Sequence, residues 1–245
     1  MIPIYDTAPR ARTPVVVYGM ILANVAIFIW MVGLSEPETG WVLIHFALIP
    51  LRYSDPEAAL AVGLDPTNYW PLLTSTFLHG GWLHLGLNMW SLWIFGPAME
   101  AHCGRLGFIV LYAAGAVAAS FAHLVANWTS PVPALGASGA IAAVVAAYAV
   151  TYPRAKVILL VPILFLPLFI PVSALFFAAF WFVLQILQGT QELFAGSMGA
   201  GVAWWAHIGG FLLGIFFAKV ADALGLGRGI ETRRWSGSVP RVPRR

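Results

Sequence analysis

A serine and a histidine stand in separate apolar stretches of this chain, where few polar groups are expected. Ser138 lies in Gly136-Ala137-Ser138-Gly139-Ala140, which opens an apolar helix, and His207 lies inside another apolar run. Polar side chains are costly in hydrocarbon and are therefore functional candidates. A hydroxyl and an imidazole are the parts of an activated serine nucleophile, so the pair predicts nucleophilic chemistry within a bilayer.

The composition of the chain is that of a membrane protein. Of its 245 residues, 60% are hydrophobic and only 9% are charged, whereas a soluble domain carries about 25% charged residues. Cys103 is the only cysteine, so an internal disulfide is excluded. These features predict an all-α membrane protein whose architecture is set by its spans.

Six apolar segments are long enough, or nearly so, to cross about 30 Å of hydrocarbon. The predicted spans are Val15–Leu34, Trp82–Glu100, Leu106–Asn127, Ser138–Tyr152, Pro171–Gly189 and Gly201–Leu224. The fourth is short, so we expect Ser138 to lie below the membrane surface. The segment Val157–Ile170 is interrupted by prolines and is interpreted as an apolar, interfacial lead-in that does not span.

Basic residues predict the orientation. With the amino terminus in the cytoplasm, Arg52 is the only external Lys or Arg, as the positive-inside rule requires. Both termini are then cytoplasmic. We expect a cytoplasmic tail over 1–14, a six-helix membrane domain over 15–224 and a disordered basic tail over 225–245. The last segment is expected to attract anionic membrane lipid weakly rather than to bind nucleic acid.

Four polar residues are predicted to meet at one depth. Spans two, four and six all enter from the outside, with His84 and Asn88 in the first turns of span two and Ser138 at the start of span four. His207 lies about 9 Å along span six, at 1.5 Å per residue. All four side chains therefore belong to the outer half of the bilayer.

Small residues indicate how the spans pack. Gly210 and Gly214 share the helix face of His207, and Gly139 permits a tight entry beside the serine, so spans four and six can approach closely. His84 and Asn88 are four residues apart and also share a face. Together with the backbone N–H of Ser138, they predict an oxyanion site.

Other chemistries lack the residues they need. The chain has no His-Glu-x-x-His zinc motif, and its four Asp residues lie outside the middle of any span. No Asp or Glu occupies the outer half of a span to orient His207, so a Ser-His dyad is favoured over a triad. His45, His79 and His123 are interpreted as hydrated near an interface, and Ser120 as a hydrogen-bonding residue between helices.

The chain resembles the rhomboid family of intramembrane serine proteases over about Pro14–Ala223. Four segments carry the resemblance: Phe46-Ala47-Leu48-Ile49-Pro50; His79-Gly80-Gly81-Trp82-Leu83-His84 with Asn88; Gly136-Ala137-Ser138-Gly139; and Ala206-His207-Ile208-Gly209-Gly210 with Gly214. Their order, and their positions on spans two, four and six, make the combination specific.

The resemblance implies a six-helix bundle with a water-filled cavity open to the outside. It makes Ser138 the nucleophile, His207 the general base, and His84, Asn88 and the Ser138 amide the oxyanion site, with Gly136 shaping the active-site loop. Substrates would be single-span membrane proteins cut near the outer end of their helix, and no metal or cofactor is expected. Span five and the loop Thr190–Ala200 would form a gate and cap, with Phe176, Phe180 and Trp181 facing the entry.

Two positions depart from the family pattern. Trp70 is followed by Pro71 where an arginine is common, and Ala142 stands four residues after the serine where many members carry an aromatic residue. The second departure predicts that His207 is held by different neighbours.

Two other function classes remain open on the sequence. A non-catalytic relative that binds membrane clients is disfavoured by the intact Ser138 and His207. A transporter or channel is disfavoured because no internal repeat and no intramembrane acid is evident. The absence of a targeting segment suggests a bacterial inner membrane, and nothing indicates an oligomeric state.

Overall fold

The computed structural model describes residues 2–10, 12–163, 166–195 and 203–225, and these residues are mostly helical. The helices are α1 Val15–Val32, α2 Glu36–Phe46, α3 Leu51–Ser54, α4 Pro56–Ala61, α5 Pro71–Thr74, α6 Trp82–Ala126, α7 Ser138–Thr151, α8 Ala174–Ala195 and α9 Trp204–Ala223. The strands are β1 Ile2–Asp6, β2 Lys156–Ile163 and β3 Leu166–Ser173. In these ranges α1, α6, α8 and α9 are long and apolar enough to cross a membrane, so the chain is a multi-pass membrane protein.

The longest helix, α6, is bent sharply in its middle. Gly104 has φ 75° and ψ 172°, far from helical values, and it separates two arms within the 45 residues. The Ser120 hydroxyl in the second arm donates to the Leu72 carbonyl at 2.9 Å, and Leu72 lies just before the first arm begins. The chain therefore doubles back at Gly104, between the predicted second and third spans.

The short helices α2 to α5 form a compact loop that is fastened to the chain in front of α7. The buried Arg52 guanidinium donates to the backbone carbonyls of Ile44 and Asp65. Leu48 and Ala134 exchange both backbone hydrogen bonds, at 3.1 and 2.8 Å. The Phe46–Pro50 motif therefore holds the segment that leads into Ser138.

Helix α7 lies in the centre of the protein. Every residue from Gly139 to Ala149 is buried, mainly against α6 and α9. Alanine and glycine make this possible, because small side chains let helix backbones approach closely.

The prediction of an all-α protein is wrong at one end of the bundle. The three strands form an antiparallel sheet in the order β1-β2-β3, with Ile2 opposite Leu160 and Lys156 opposite Ser173. Prolines 162, 167 and 171 oppose a helix, while the intervening Val, Ile, Leu and Phe residues favour strands. The segment interpreted as a lead-in thus forms two antiparallel strands, and the amino-terminal tail supplies the third strand of the sheet.

Helix α8 follows the hairpin directly and packs against α9. It continues to Ala195, so the first residues of the loop predicted over Thr190–Ala200 are helical. The remainder of that predicted cap, and the predicted tail after Gly225, lie outside the described residues.

Candidate active site

Ser138 is the first residue of α7, and the loop in front of it has a restrained conformation. The Gly136 N–H donates to the Ser75 carbonyl at 2.9 Å. Gly136 has φ +119°, a backbone conformation that residues other than glycine rarely adopt. This turn lets α7 begin at the serine, whose N–H, like those of the rest of the first turn, has no acceptor within the helix.

His207 reaches the serine because α9 and α7 are in close contact. A Cβ atom placed on Gly210 would lie 2.0 Å from the Gly139 carbonyl oxygen, and one on Gly214 would lie 2.1 Å from that of Ala143. The two glycines therefore allow a separation that no larger residue permits. At this separation His207 Nε2 lies 2.7 Å from Ser138 Oγ.

His84 and Asn88 lie on the other side of the serine, on the first arm of α6. A Cβ atom on Gly136 would be 2.6 Å from His84 Nε2 and 3.6 Å from Asn88 Nδ2. Asn88 Nδ2 is buried and has no hydrogen-bond partner among the described residues. The structure thus brings two side-chain donors and the amide of the helix start to the same turn.

These groups line one cavity of about 800 Å³. Among the described residues, the polar side chains of its wall are those of His84, Asn88, Ser91, Ser138 and His207. The other described residues of the wall are glycine or apolar, and they include Leu87, Ile141, Ala142, Phe177 and Trp181. A mostly apolar cleft with a few convergent polar groups is the usual form of a binding site.

Two further histidines are buried rather than hydrated, contrary to the sequence interpretation. His79 is 3% exposed and His123 is 6% exposed. The His79 ring packs edge-on against His84 at 5.1 Å. Burial lowers the pKa of His79 to about 4, so this ring is neutral near pH 7 and serves as packing beneath His84.

The second departure from the family pattern has a structural counterpart. Ala142 presents no ring to His207, and the neighbours are instead Trp181 of α8 and Trp204 of α9, with ring centroids 5.5 and 6.1 Å from the imidazole. At the first departure, Pro71 begins α5 and the preceding Trp70 is exposed.

One site residue was missed from the sequence. Gln185 of α8 is 4% exposed, and its Oε1 atom lies 2.7 Å from His207 Nδ1. Its position four residues after Trp181 places both on one face of α8. Only this helical spacing, combined with the polarity of Gln185 in an apolar helix, could have indicated it.

The residues predicted to face the entry divide into two groups. Trp181 lines the cavity, whereas Phe176 and Phe180 stack on each other at 6.2 Å and are 60% and 48% exposed on the outer side of α8. Phe177, which was not predicted, lines the cavity instead. Within the described ranges, no cluster of three His, Cys, Asp or Glu side chains could hold a metal.

Comparison with known proteins finds a matching family model and several relatives. A family model described as the Rhomboid domain matches residues 66–221. The chain is 27% identical over 216 residues to Rhomboid protein 1, mitochondrial, of Saccharomyces cerevisiae. The aligned region covers 82% of this chain and 51% of that protein.

Two other relatives extend the comparison. The chain is 30% identical over 211 residues to the human presenilin-associated rhomboid-like protein, mitochondrial, covering 85% of this chain and 48% of that protein. It is 42% identical over 73 residues to the rhomboid protease GluP of Bacillus subtilis, covering 30% of this chain and 14% of that protein. The chain thus spans about half the length of the mitochondrial relatives.

Proposed function

This chain belongs to the rhomboid family, and we propose that it is an intramembrane serine endopeptidase. The observation that carries the proposal is the 2.7 Å contact between Ser138 Oγ and His207 Nε2 inside the cavity. A nucleophile within hydrogen-bond reach of a base is the recurring arrangement of covalent acyl-transfer catalysis.

In the proposed mechanism, His207 Nε2 takes the proton of Ser138 Oγ as the oxygen attacks the carbonyl carbon of the scissile peptide bond. The negative charge that develops on the carbonyl oxygen is stabilised by donors from His84, Asn88 and the Ser138 amide. His207 then protonates the leaving amine, and a water molecule, deprotonated by the same nitrogen, hydrolyses the acyl-enzyme.

The membrane arrangement we propose has six crossings. The two arms of α6 on either side of Gly104 would supply two, and α7 a short one, with both termini cytoplasmic as the basic residues predict. The cavity then opens towards the outside, which brings water to a depth that hydrocarbon would otherwise keep dry. Several relatives carry "mitochondrial" in their names. These names do not support the predicted bacterial inner membrane, and we propose only a multi-pass membrane location.

The substrates we propose are single-span membrane proteins, cut near the outer end of their helix. A transmembrane helix satisfies its own backbone hydrogen bonds, so its peptide bonds are shielded until it unwinds locally. Substrate helices that unwind easily should therefore be cut faster.

We expect substrates with Gly or Pro near the cut to be cleaved faster than a matched substrate with a uniform Leu helix. Gly and Pro cost about 1 and 3 kcal/mol relative to Ala within a helix, so the cost of unwinding falls by a similar amount. Initial rates of release of a fluorescent fragment, with purified protein in detergent, would measure this. Equal rates for the two substrates would contradict the unwinding step.

We expect His84→Ala or Asn88→Ala to slow cleavage while leaving the protein folded. Loss of one oxyanion donor typically lowers kcat by on the order of 10²–10³, and each change removes one donor beside Gly136. Single-turnover rates of each variant and of the double variant would test this. A wild-type rate in the double variant would remove the oxyanion role from both residues.

Two alternatives give different results in the same preparations. A non-catalytic client-binding relative would retain single-span proteins without cutting any of them, across several helix-destabilised substrates. A transporter would support solute or ion flux in proteoliposomes, and that flux would persist in Ser138→Ala.

A further inference from the structure

Gln185 is held in one orientation by its own helix. Its Nε2 atom donates to the Trp181 carbonyl oxygen, four residues earlier, at 3.2 Å. Because a carbonyl can only accept, the nitrogen of the amide must face Trp181 and the oxygen must face His207. The orientation of the amide is thus fixed by the contacts on both of its ends.

This orientation determines where the imidazole carries its proton. Gln185 Oε1 lies 2.7 Å from His207 Nδ1, and an amide oxygen accepts but does not donate. Nδ1 must therefore carry the hydrogen. A neutral imidazole has one N–H, so Nε2 retains its lone pair, and this is the nitrogen that lies 2.7 Å from Ser138 Oγ.

We propose that Gln185 is a positioning residue that selects the His207 tautomer able to act as general base. The proposal rests on the proposed protease function and deepens it. Gln185 takes the place that a carboxylate occupies in a Ser-His-Asp triad, without contributing a charge. A neutral acceptor orients the ring but stabilises an imidazolium less than a carboxylate does.

Gln185 also connects the base to the position of α8. Trp181 and Phe182 stack on Phe211 of α9, with centroid distances of 6.1 and 4.4 Å. Gly189, one turn beyond Gln185, lies against Trp204 and Trp205. The face of α8 that packs on α9 is therefore the face that carries Gln185, and a displacement of α8 from α9 would remove the acceptor from His207.

A purely structural role for Gln185 makes a different prediction. If the side chain only satisfied its own hydrogen-bonding groups in an apolar place, its loss would lower stability without changing the reactivity of the serine. The two roles are separated by measuring that reactivity directly, with a reagent small enough to enter without passage of a substrate helix.

The experiment measures the rate at which a fluorophosphonate probe labels Ser138 in the full chain. The melting temperature, and kcat and KM for a single-span substrate, are measured on the same preparations. Gln185→Met keeps the length of the side chain but has no acceptor oxygen. Gln185→Glu restores an acceptor at the same reach. Asn24→Leu is the matched control, because Asn24 of α1 is also a buried amide whose nitrogen donates to the carbonyl oxygen four residues earlier, that of Met20.

We expect Gln185→Met to slow labelling and lower kcat together, by on the order of 10- to 100-fold, as for loss of a buried hydrogen bond whose partner stays unsatisfied. Gln185→Glu should label at least about tenfold faster than Gln185→Met, with KM little changed in both. Asn24→Leu should label and cut as the wild type does.

Three outcomes would overturn the proposal. The first is wild-type labelling in Gln185→Met, with or without a lower melting temperature. The second is equal loss in Gln185→Met and Gln185→Glu when both melt as the wild type does. The third is a wild-type protein that neither labels nor cuts, which removes the protease function itself and is thereby distinguishable from the first two.

Discussion

Replacing Ser138 with alanine is expected to abolish proteolysis while leaving the protein folded. The change removes the Oγ atom that lies 2.7 Å from His207 Nε2, and with it the proposed nucleophile. In serine proteases, loss of the nucleophile costs on the order of 10⁶ in kcat. Initial rates with a fluorescent single-span substrate in detergent, together with melting temperatures, would measure both parts of the expectation.

Ser120→Ala is the matched control for that experiment. Ser120 also lies in an apolar helix, but its hydroxyl donates to the Leu72 carbonyl oxygen and holds the second arm of α6 against α5. Its loss should lower stability by about 1 kcal/mol and leave cleavage intact. The two serines would thus give opposite patterns, and cleavage by Ser138→Ala at more than a trace of the wild-type rate would require another nucleophile.

Gly214→Ala is expected to impair both folding and cleavage, although residue 214 does not line the cavity. The new Cβ would lie 2.1 Å from the Ala143 carbonyl oxygen and 2.8 Å from the Ala143 carbonyl carbon and Cα. These are backbone atoms that cannot rotate away, so α9 must move from α7. Overpacking of this kind costs about 1–3 kcal/mol or more, and a displacement of about 1 Å at the dyad can cost on the order of 100-fold in rate.

The control for this substitution is Gly19→Ala. Gly19 lies in α1, and no atom of the described residues comes within 4 Å of a Cβ placed there. The variant should therefore melt and cleave as the wild type does. Urea or thermal unfolding of the two variants in the same detergent would compare them. A Gly214→Ala protein with unchanged stability and rate would show that the close approach of α7 and α9 does not set the geometry of the site.

Much of the candidate site could be predicted because its residues lie in recognisable local sequence patterns. Ser138 follows a glycine turn at the start of an apolar helix, and His207 precedes Gly210 and Gly214 at helical spacing. Each pattern is local, and the positive-inside rule predicts that the helices carrying the site residues enter the bilayer from the same side. The sequence therefore predicted that these residues share a layer of the bilayer, and the structure brings Ser138 and His207 into contact.

Gln185 could not be predicted in the same way. Its role depends on the rotation of α8 about its own axis, and that rotation is set by the stacking of Trp181 and Phe182 on Phe211. The spacing of Gln185 from Trp181 places a polar residue on their shared face of α8, but it does not show which helix that face contacts. From the sequence, only Asp and Glu are expected as partners of His207, whereas the acceptor in the structure is the Gln185 amide.

The sheet was missed for a different reason. Hydropathy treats apolar strands and apolar helices alike, and Val157–Ile170 is apolar throughout. The prolines indicate that the segment is not a helix, but the pairing of Ile2 with Leu160 joins residues that are far apart in the chain. Such a register cannot be read from either segment alone.

The shortness of α7 has a consequence for how the protein is made. Its 14 residues extend about 21 Å at 1.5 Å per residue, less than the hydrocarbon thickness of about 30 Å. Leaving the ribosome, this alanine-rich helix has no stable place among lipids by itself. It is covered only when α9 packs against it, and α9 is synthesised last of the helices described. The serine and the histidine therefore meet only after α9 has been synthesised, so a nascent chain that ends before α9 carries no assembled dyad.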